Sequence, residues 1–573
     1  MTDSAPASNG STAPHVIDNP MPHRLPEGEN ATPLEVIGQT SSSSDKLVIV
    51  MVGLPATGKT HIAKRICRFL SFFHDIPSQI FNVGDYRRQL CGAQQPANFY
   101  DPTNAEGLAA RTMACDAALA DLQDYLRQPG ARVAAFDATN STRARRQHIC
   151  QTLQNLDLNC KQMFVESICD EQELLEENIR TVKLSTPDYR EMDPETAVKD
   201  FKRRRENYQK VYEPVEASEG PSIKIINSKQ FVVTNIRGYL PLKVVHFCMN
   251  LHTLPRTFYL TRHGQSHYNL LGKIGGDSGL TPNGVEYAKR LAQFATEFIS
   301  KETLSVEEQE KNDDPKPAPK PRPARLWTST MRRTKETAQF IPNNTIQHTW
   351  GEGEDSSDKE DWVQFRPMAR RNLDELYAGT CDGMTYKEIE QVFPEEFKRR
   401  QQDKLSYRYP RGESYMDVTL RLEPLALDME RTREPVLIIG HQGILRILYA
   451  YFMGLDRKDA PYMSIPLNNV IELTPHAYGC HERRYCLMLK EEMLQDGQDE
   501  PVTSMPMAAD HSSNTMETSV PIEAVPPPRK VHQRENSRPS LVLDNQADFS
   551  QDIEVEKAAQ YDSNDPVMNA PSC

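Results

Sequence analysis

Positive charge, long apolar runs and paired cysteines are what this sequence lacks. Its 573 residues carry 80 acidic against 67 basic side chains, a formal charge of −13. It therefore has no basic surplus with which to neutralise a nucleic-acid backbone and release counterions, which argues against a nucleic-acid partner. Small anions can still be met by local arginines. The longest apolar run, Leu47 to Leu54, falls far short of the ~20 residues that cross a bilayer. The first residues also lack a basic segment followed by an apolar core, so the expectation is a cytoplasmic protein with no membrane partner. Eleven cysteines are scattered without a Cys-x-x-Cys pair or a histidine-rich cluster; neither a disulfide framework nor a structural zinc site is expected.

A hydrophobic fraction of 38% over 573 residues suits two cores rather than one. Residues 1–44 and 496–573 are rich in Ser, Pro, Thr and Asn and bury too little to offset ordering entropy, so both ends are read as disordered. A third such stretch, Lys311 to Pro323 within a Pro/Lys-rich insertion at about 301–323, reads as an extended surface insertion. Two folded blocks remain, 45–250 and 251–495. In both, short β-branched runs alternate with helical patterns, which predicts an α/β fold: two domains, each a mainly parallel sheet flanked by helices.

The first block opens on a buried-strand pattern, Lys46 to Val52, followed by helical spacing of Ile62, Ile66, Phe69 and Phe73. Between them lies Gly53-Leu-Pro-Ala-Thr-Gly-Lys-Thr60. A glycine-rich turn from strand to helix can surround phosphates with backbone N–H groups, aided by the helix N-terminus, while Lys59 neutralises charge and the Thr60 hydroxyl can ligate Mg²⁺. A second apolar strand, Val133 to Phe136, ends in Asp137, placed to hold the metal or take a proton from an attacking hydroxyl. Arg87, Arg88, Arg111, Arg143, Arg145, Arg146, Lys183 and the Lys202 to Arg205 run supply cations for a phosphorylated acceptor.

The second block begins with a strand that delivers Arg262 and His263 in Leu-Thr-Arg-His-Gly, and Val436-Leu-Ile-Ile-Gly-His441 repeats the pattern. Open α/β sheets bind ligands at the carboxyl ends of strands, so the two histidines can face one pocket. A neutral imidazole attacks phosphorus, arginines neutralise the oxygens, and an acid protonates the departing oxygen. Arg333, after a third strand, and Glu375 are the candidates for charge and acid.

Together with Phe136-Asp-Ala-Thr-Asn140, Ser185-Thr-Pro-Asp-Tyr189, Gly275-Gly-Asp-Ser-Gly-Leu280 and Tyr407-Arg-Tyr-Pro-Arg-Gly-Glu-Ser-Tyr415, these motifs make residues 45 to about 490 resemble the 6-phosphofructo-2-kinase/fructose-2,6-bisphosphatase family. That family joins a nucleotide-kinase-like domain to a phosphoglycerate mutase-like histidine phosphatase domain. The resemblance implies an ATP site at Gly53, Leu54, Pro55, Ala56, Thr57, Gly58, Lys59, Thr60, Asn178 and Lys183, with Mg²⁺ at Thr60 and Asp137 and no tightly bound organic cofactor. It implies a fructose-6-phosphate pocket at Arg87, Arg88, Arg111, Thr139, Arg204 and Tyr208. In the second domain it makes His263 the phosphorylated residue, with His441, Arg262 and Arg333 holding the group in transit and Glu375 as acid. Asn269, Tyr386, Arg400, Lys404, Tyr415, Gln442 and Arg446 are similar to positions that bind fructose-2,6-bisphosphate. Thr57 stands where many relatives have arginine, from which an altered ATP affinity is expected. The resemblance also implies a homodimer. Ser537 and Ser540, each near an arginine, are read as targets of a regulatory protein kinase. The competing readings are a kinase-dominant enzyme with a slow or silent phosphatase domain, and a nucleic-acid end-healing kinase/phosphatase.

Overall fold

A strand that is apolar on both faces has to be covered on both faces, which is the situation of the inner strands of a parallel sheet. Strand β1 (Lys46–Val52) meets that condition: every residue after Lys46 is buried. The computed structural model describes residues 46–155, 158–180, 186–190, 192–251, 256–301, 320–349, 359–476, 479–489 and 492–493. The two ends read as disordered, Lys183, Ser537, Ser540 and residues 302–319 of the insertion lie outside the described residues.

In the first domain β1 is joined by β2 (Ser78–Asn82), β3 (Val133–Asp137), β4 (Cys160–Ile168), β5 (Ser222–Ile226) and β6 (Gln230–Thr234) in the order β2-β3-β1-β4-β5-β6. All neighbours are parallel except β6, which returns antiparallel on β5. The helices are α1 (Lys59–His74), α2 (Val83–Cys91), α3 (Ala105–Arg127), α4 (Arg143–Gln154), α5 (Gln172–Asn178), α6 (Pro194–Gln209) and α7 (Tyr239–Cys248). The chain runs from β1 out to the edge strand β2, comes back to β3, then crosses to β4 on the other side of β1. The carboxyl ends of β1 and β3 therefore flank the point where strand order reverses, the crevice in which such sheets bind ligands.

The second domain has strands β7 (Phe258–Arg262), β8 (Arg325–Thr328), β11 (Pro367–Ala369), β12 (Val436–Gly440), β13 (Asn469–His476) and β14 (Gly479–Cys486), ordered β11-β8-β12-β7-β13-β14, beside a separate hairpin of β9 (Thr345–Thr349) and β10 (Lys359–Val363). β11, β8, β12 and β7 are parallel, β13 pairs antiparallel with β7, and β14 pairs antiparallel with β13. Its helices are α8 (His267–Leu270), α9 (Pro282–Phe294), α10 (Arg332–Ala338), α11 (Tyr386–Val392), α12 (Pro394–Gln402), α13 (Tyr415–Arg431) and α14 (Gln442–Met453).

Helix α1 packs against both domains. Phe69 stacks on Phe247 of α7 with centroids 4.7 Å apart, while Phe73 and Phe72 meet Tyr451 of α14 at 4.8 and 5.5 Å. One buried cluster thus runs from the first sheet through α1 into the second domain. Arg65 of α1 and Arg256, just before β7, both pair with the fully buried Glu430 of α13, which also accepts from the Tyr451 hydroxyl at 3.0 Å.

Candidate active sites

The turn after β1 is held open by backbone conformations that favour glycine. Gly53 has φ +141° and Gly58, which caps α1, has φ +85°. A Cβ at Gly53 would lie 2.3 Å from the Ser167 carbonyl oxygen, so this position excludes any side chain. The Gly53 N–H donates to Thr139 at 3.0 Å. The Leu54 carbonyl accepts from the Lys59 ammonium at 2.6 Å and from the Thr57 hydroxyl at 3.0 Å. Gly53, Leu54 and Thr57 therefore shape the turn, while Pro55, Ala56, Gly58, Lys59 and Thr60 line a cleft of about 1160 Å³.

Asn178, Asp137, Thr139, Arg87, Arg88, Arg111, Arg204 and Tyr208 line the same cleft. All six sugar-phosphate candidates are thus brought together with the turn. Three of the arginines converge on Asp188: Arg87 at 2.7 and 2.8 Å, Arg88 and Arg204 at 3.4 Å each. Burial pushes the Asp188 carboxyl up, but the hydrogen bonds and charge of Arg87, then Arg204 and Arg88, outweigh it and hold the group below the ordinary carboxylate range. Arg204 also lies 3.9 Å over the Tyr100 ring and Arg111 5.8 Å over that of Tyr208.

Asp188, Tyr100 and Lys64 line the cleft without having been given a role from sequence. No local pattern marks Asp188, because its three arginine partners are 16, 100 and 101 positions away. Of the wider supply of cations, Arg145 lines the cleft. Arg146 instead sits in a buried pair with Glu219, Arg143 pairs with Glu216, and Lys202 with Glu176. Arg205 donates to the Pro55 carbonyl at 2.7 Å and so supports the turn from behind. None of these four is among the residues that line the cleft. Thr60 and Asp137 offer oxygen ligands suited to a hard divalent cation. Among the described residues no three His, Cys, Asp or Glu side chains gather as a metal site, so a cation here would share its ligands with phosphate oxygens.

In the second domain the pairing of β12 with β7 sets Gly440 beside Arg262, which places the residues that follow, His441 and His263, next to each other. Their ring centroids are 5.2 Å apart and both are buried. His263 Nδ1 is 2.7 Å from the Gly264 carbonyl oxygen. A carbonyl only accepts, so Nδ1 carries the proton and the lone pair of the neutral ring is on Nε2. Burial first, then Arg333 and Arg262, holds the His263 pKa well below the ordinary imidazole range. His441 is lowered by burial and by Arg333, with smaller contributions from His263, Arg262 and Arg421. Its Nε2 is 2.8 Å from the Ser329 hydroxyl, which in turn meets Thr334 at 2.8 Å. Ser329 was not anticipated from sequence, since it is 112 positions from His441.

Burial pushes the Arg262 pKa down to about 10, with Glu375 opposing. The Arg262 guanidinium donates to Ile465 at 3.2 Å and that of Arg333 to Gly276 at 2.7 Å. Glu375 is fixed through Oε1, which accepts the Leu376 N–H at 2.9 Å. Arg446 donates to the Tyr415 hydroxyl at 3.3 Å, and Arg400 to those of Tyr386 and Tyr409 at 2.9 Å each. Lys404 lies 5.1 Å over Tyr462 and Gln442 opens α14. Asn269 is less available than the sequence suggested. Its Oδ1 accepts from the Ser266 N–H and hydroxyl at 3.0 Å each, in the capping box of α8, so any ligand contact falls to its Nδ2.

A phosphate-binding turn with a cationic cleft, joined to a paired-histidine phosphate site, defines a two-domain α/β protein that couples a P-loop kinase fold to a histidine phosphatase fold. The chain matches the family profile described as 6-phosphofructo-2-kinase over residues 36–255, and that of the histidine phosphatase superfamily, branch 1, over 258–305 and 362–487. It is 40% identical over 453 residues to a 6-phosphofructo-2-kinase/fructose-2,6-bisphosphatase of Caenorhabditis elegans, covering 77% of this chain and 89% of that one. A protein of the same name from Arabidopsis thaliana is 43% identical over 449 residues, covering 77% of this chain and 54% of its own length, so the match spans about half of that relative. A Saccharomyces cerevisiae protein named fructose-2,6-bisphosphatase is 39% identical over 451 residues, 77% of this chain and 90% of its own. The chain belongs to the 6-phosphofructo-2-kinase/fructose-2,6-bisphosphatase family.

Proposed function

We propose that this chain both makes and removes the 2-phosphate of fructose-2,6-bisphosphate, and so sets the balance of glycolysis and gluconeogenesis. The observation that carries the reading is the presence in one chain of both sets of reactive groups: Lys59, Thr60 and Asp137 facing the arginine-lined cleft, and His263 paired with His441 beside two arginines. In the first site ATP lies with its phosphates in the turn, next to Lys59. Fructose-6-phosphate is held through its 6-phosphate by Arg87, Arg88, Arg111 and Arg204, which leaves its 2-hydroxyl to attack the terminal phosphorus. Mg²⁺, held by Thr60 and Asp137, would neutralise charge on the phosphates during transfer. Catalysis here is positioning plus charge neutralisation.

In the second site His263 Nε2 attacks the 2-phosphorus and the bond from phosphorus to the sugar oxygen breaks. Glu375 gives that oxygen a proton, and water then hydrolyses the phosphohistidine to free phosphate. Arg262, Arg333 and His441 stabilise the transferred group, while Arg400, Lys404, Arg446 and the tyrosines around them suit a second, unreacting phosphate. The reading extends to a homodimer, a cytoplasmic location and a protein kinase acting on Ser537 or Ser540, each supported by the sequence alone. No described helix is long and apolar enough to cross a membrane.

The test is to give the purified chain γ-labelled ATP, Mg²⁺ and fructose-6-phosphate and to follow the label. It is expected to enter fructose-2,6-bisphosphate and then appear as free phosphate. His263→Ala should stop the second step only, and Lys59→Met the first only. Label that stays in the bisphosphate with the wild-type chain would overturn the bifunctional reading in favour of a kinase-dominant enzyme.

A further inference from the structure

The side chain of Asn82 joins the two halves of the first site. Strand β2 pairs with β3 so that Asn82 stands directly beside Asp137, and its carboxamide is divided between two neighbours. Nδ2 donates to Asp137 Oδ2 at 2.7 Å, while Oδ1 accepts the Gly84 N–H at 2.8 Å and so caps α2. The orientation is forced: flipping the amide would set two acceptors against each other at Asp137 and two donors against each other at Gly84. Helix α2 carries Arg87 and Arg88, whose guanidinium groups meet at Asp188. One carboxamide therefore ties the Asp137 carboxylate to the helix that supplies two of the cleft's arginines.

Asp137 is only 3% exposed. A carboxylate so enclosed needs a donor to keep one orientation. Lys64, which lines the same cleft, contributes charge near Asp137. The Asn82 hydrogen bond holds Asp137 Oδ2 on the β2 side of the carboxylate.

We propose that Asn82 is a positioning residue for phosphoryl transfer, aiming the Asp137 carboxylate while holding α2 and its arginines in register with it. The proposal rests on the reading of this cleft as the kinase site. Asparagine is suited to both duties because it carries a donor and an acceptor on one rigid plane. Aspartate is an equally good N-cap but cannot donate, and it would set a second carboxylate against Asp137. Serine also caps, but it is too short to reach Asp137.

Asn82→Asp separates the two duties. With the cap kept, folding and phosphatase turnover should match the wild type. Kinase kcat should fall by about 100-fold, the scale of a ~1 Å misplacement in a reacting constellation, with less change in the KM for fructose-6-phosphate. Titration of the variant with ADP should show a weakened dependence of affinity on Mg²⁺, a readout independent of turnover. Asn82→Ser, whose hydroxyl is too short to donate to Asp137 and which adds no charge, should lose kcat in the same direction. If both variants keep wild-type kcat, Asn82 is only a helix cap and the proposal is overturned. A wild-type chain with no kinase activity would instead overturn the functional reading on which it rests.

Discussion

At the scale of single residues, Gly443 shows how narrowly Glu375, the proposed phosphatase acid, is placed. A Cβ there would lie 2.7 Å from Glu375 Oε1. The obstructing atom is the end of a flexible side chain, so Gly443→Ala is expected to push the carboxylate aside without unfolding α14. Phosphatase kcat should fall by about 100-fold, the usual worth of a general acid, while kinase turnover stays at the wild-type value; parallel assays of the two reactions check this. The buried histidines give a prediction about pH. The folded-state pKa of His263 is depressed, whereas the unfolded chain takes up a proton below about pH 6.5. The unfolded state thus binds more protons in acid, and the contribution of this residue to stability, intact above that pH, is lost as pH falls. Urea unfolding between pH 6.5 and 5 should show wild-type stability falling more steeply than that of His263→Asn, by about 1.4 kcal/mol per pH unit. Equal slopes would mean that His263 is protonated in the folded protein.

Among the elements, α1 does the most to join the domains. Its first residues carry Lys59 and Thr60, its middle carries Arg65, and its last turns bury Phe69, Phe72 and Phe73. The apolar contacts hold it against both domains, and the Arg65, Glu430 and Arg256 group adds charges that are costly to leave unpaired. Glu430 is lowered in pKa because burial, which raises it, is outweighed by Arg65 and Arg256. Glu430→Ala would leave two buried guanidinium groups without their anion. The expected loss is about 3–5 kcal/mol of unfolding free energy, read by denaturant titration, with the thermal transitions of the two domains separating in calorimetry. A loss under 1 kcal/mol would show that the apolar contacts of α1 alone join the domains.

On the scale of the whole molecule, the cleft of the first domain is completed from the second: Arg256, Pro475 and His476 are part of its lining. The two domains were legible in the sequence because each rests on local patterns. The strand Lys46 to Val52, the glycine turn, and the Arg262-His263 and Gly440-His441 strand ends are contiguous signals whose periodicity and turn chemistry are set by neighbouring residues. The candidate residues Lys59, Asp137, Arg262, His263 and His441 were legible for the same reason, since each ends or directly follows a strand or opens a helix, whereas Glu375 lies in an irregular segment. What could not be read were the partners of those residues. Asn82 beside Asp137, Asp188 among three arginines, Ser329 on His441, Gly443 against Glu375 and Glu430 between Arg65 and Arg256 are meetings of residues 16 to 365 positions apart. The sequence by itself determined the chemistry, because phosphate cradles and nucleophilic strand ends are written in short runs. Only the tertiary structure decided which donor aims each acid, which carboxylate gathers the arginines and how α1 joins the two domains, because those depend on strand order and helix packing that no local run of residues encodes.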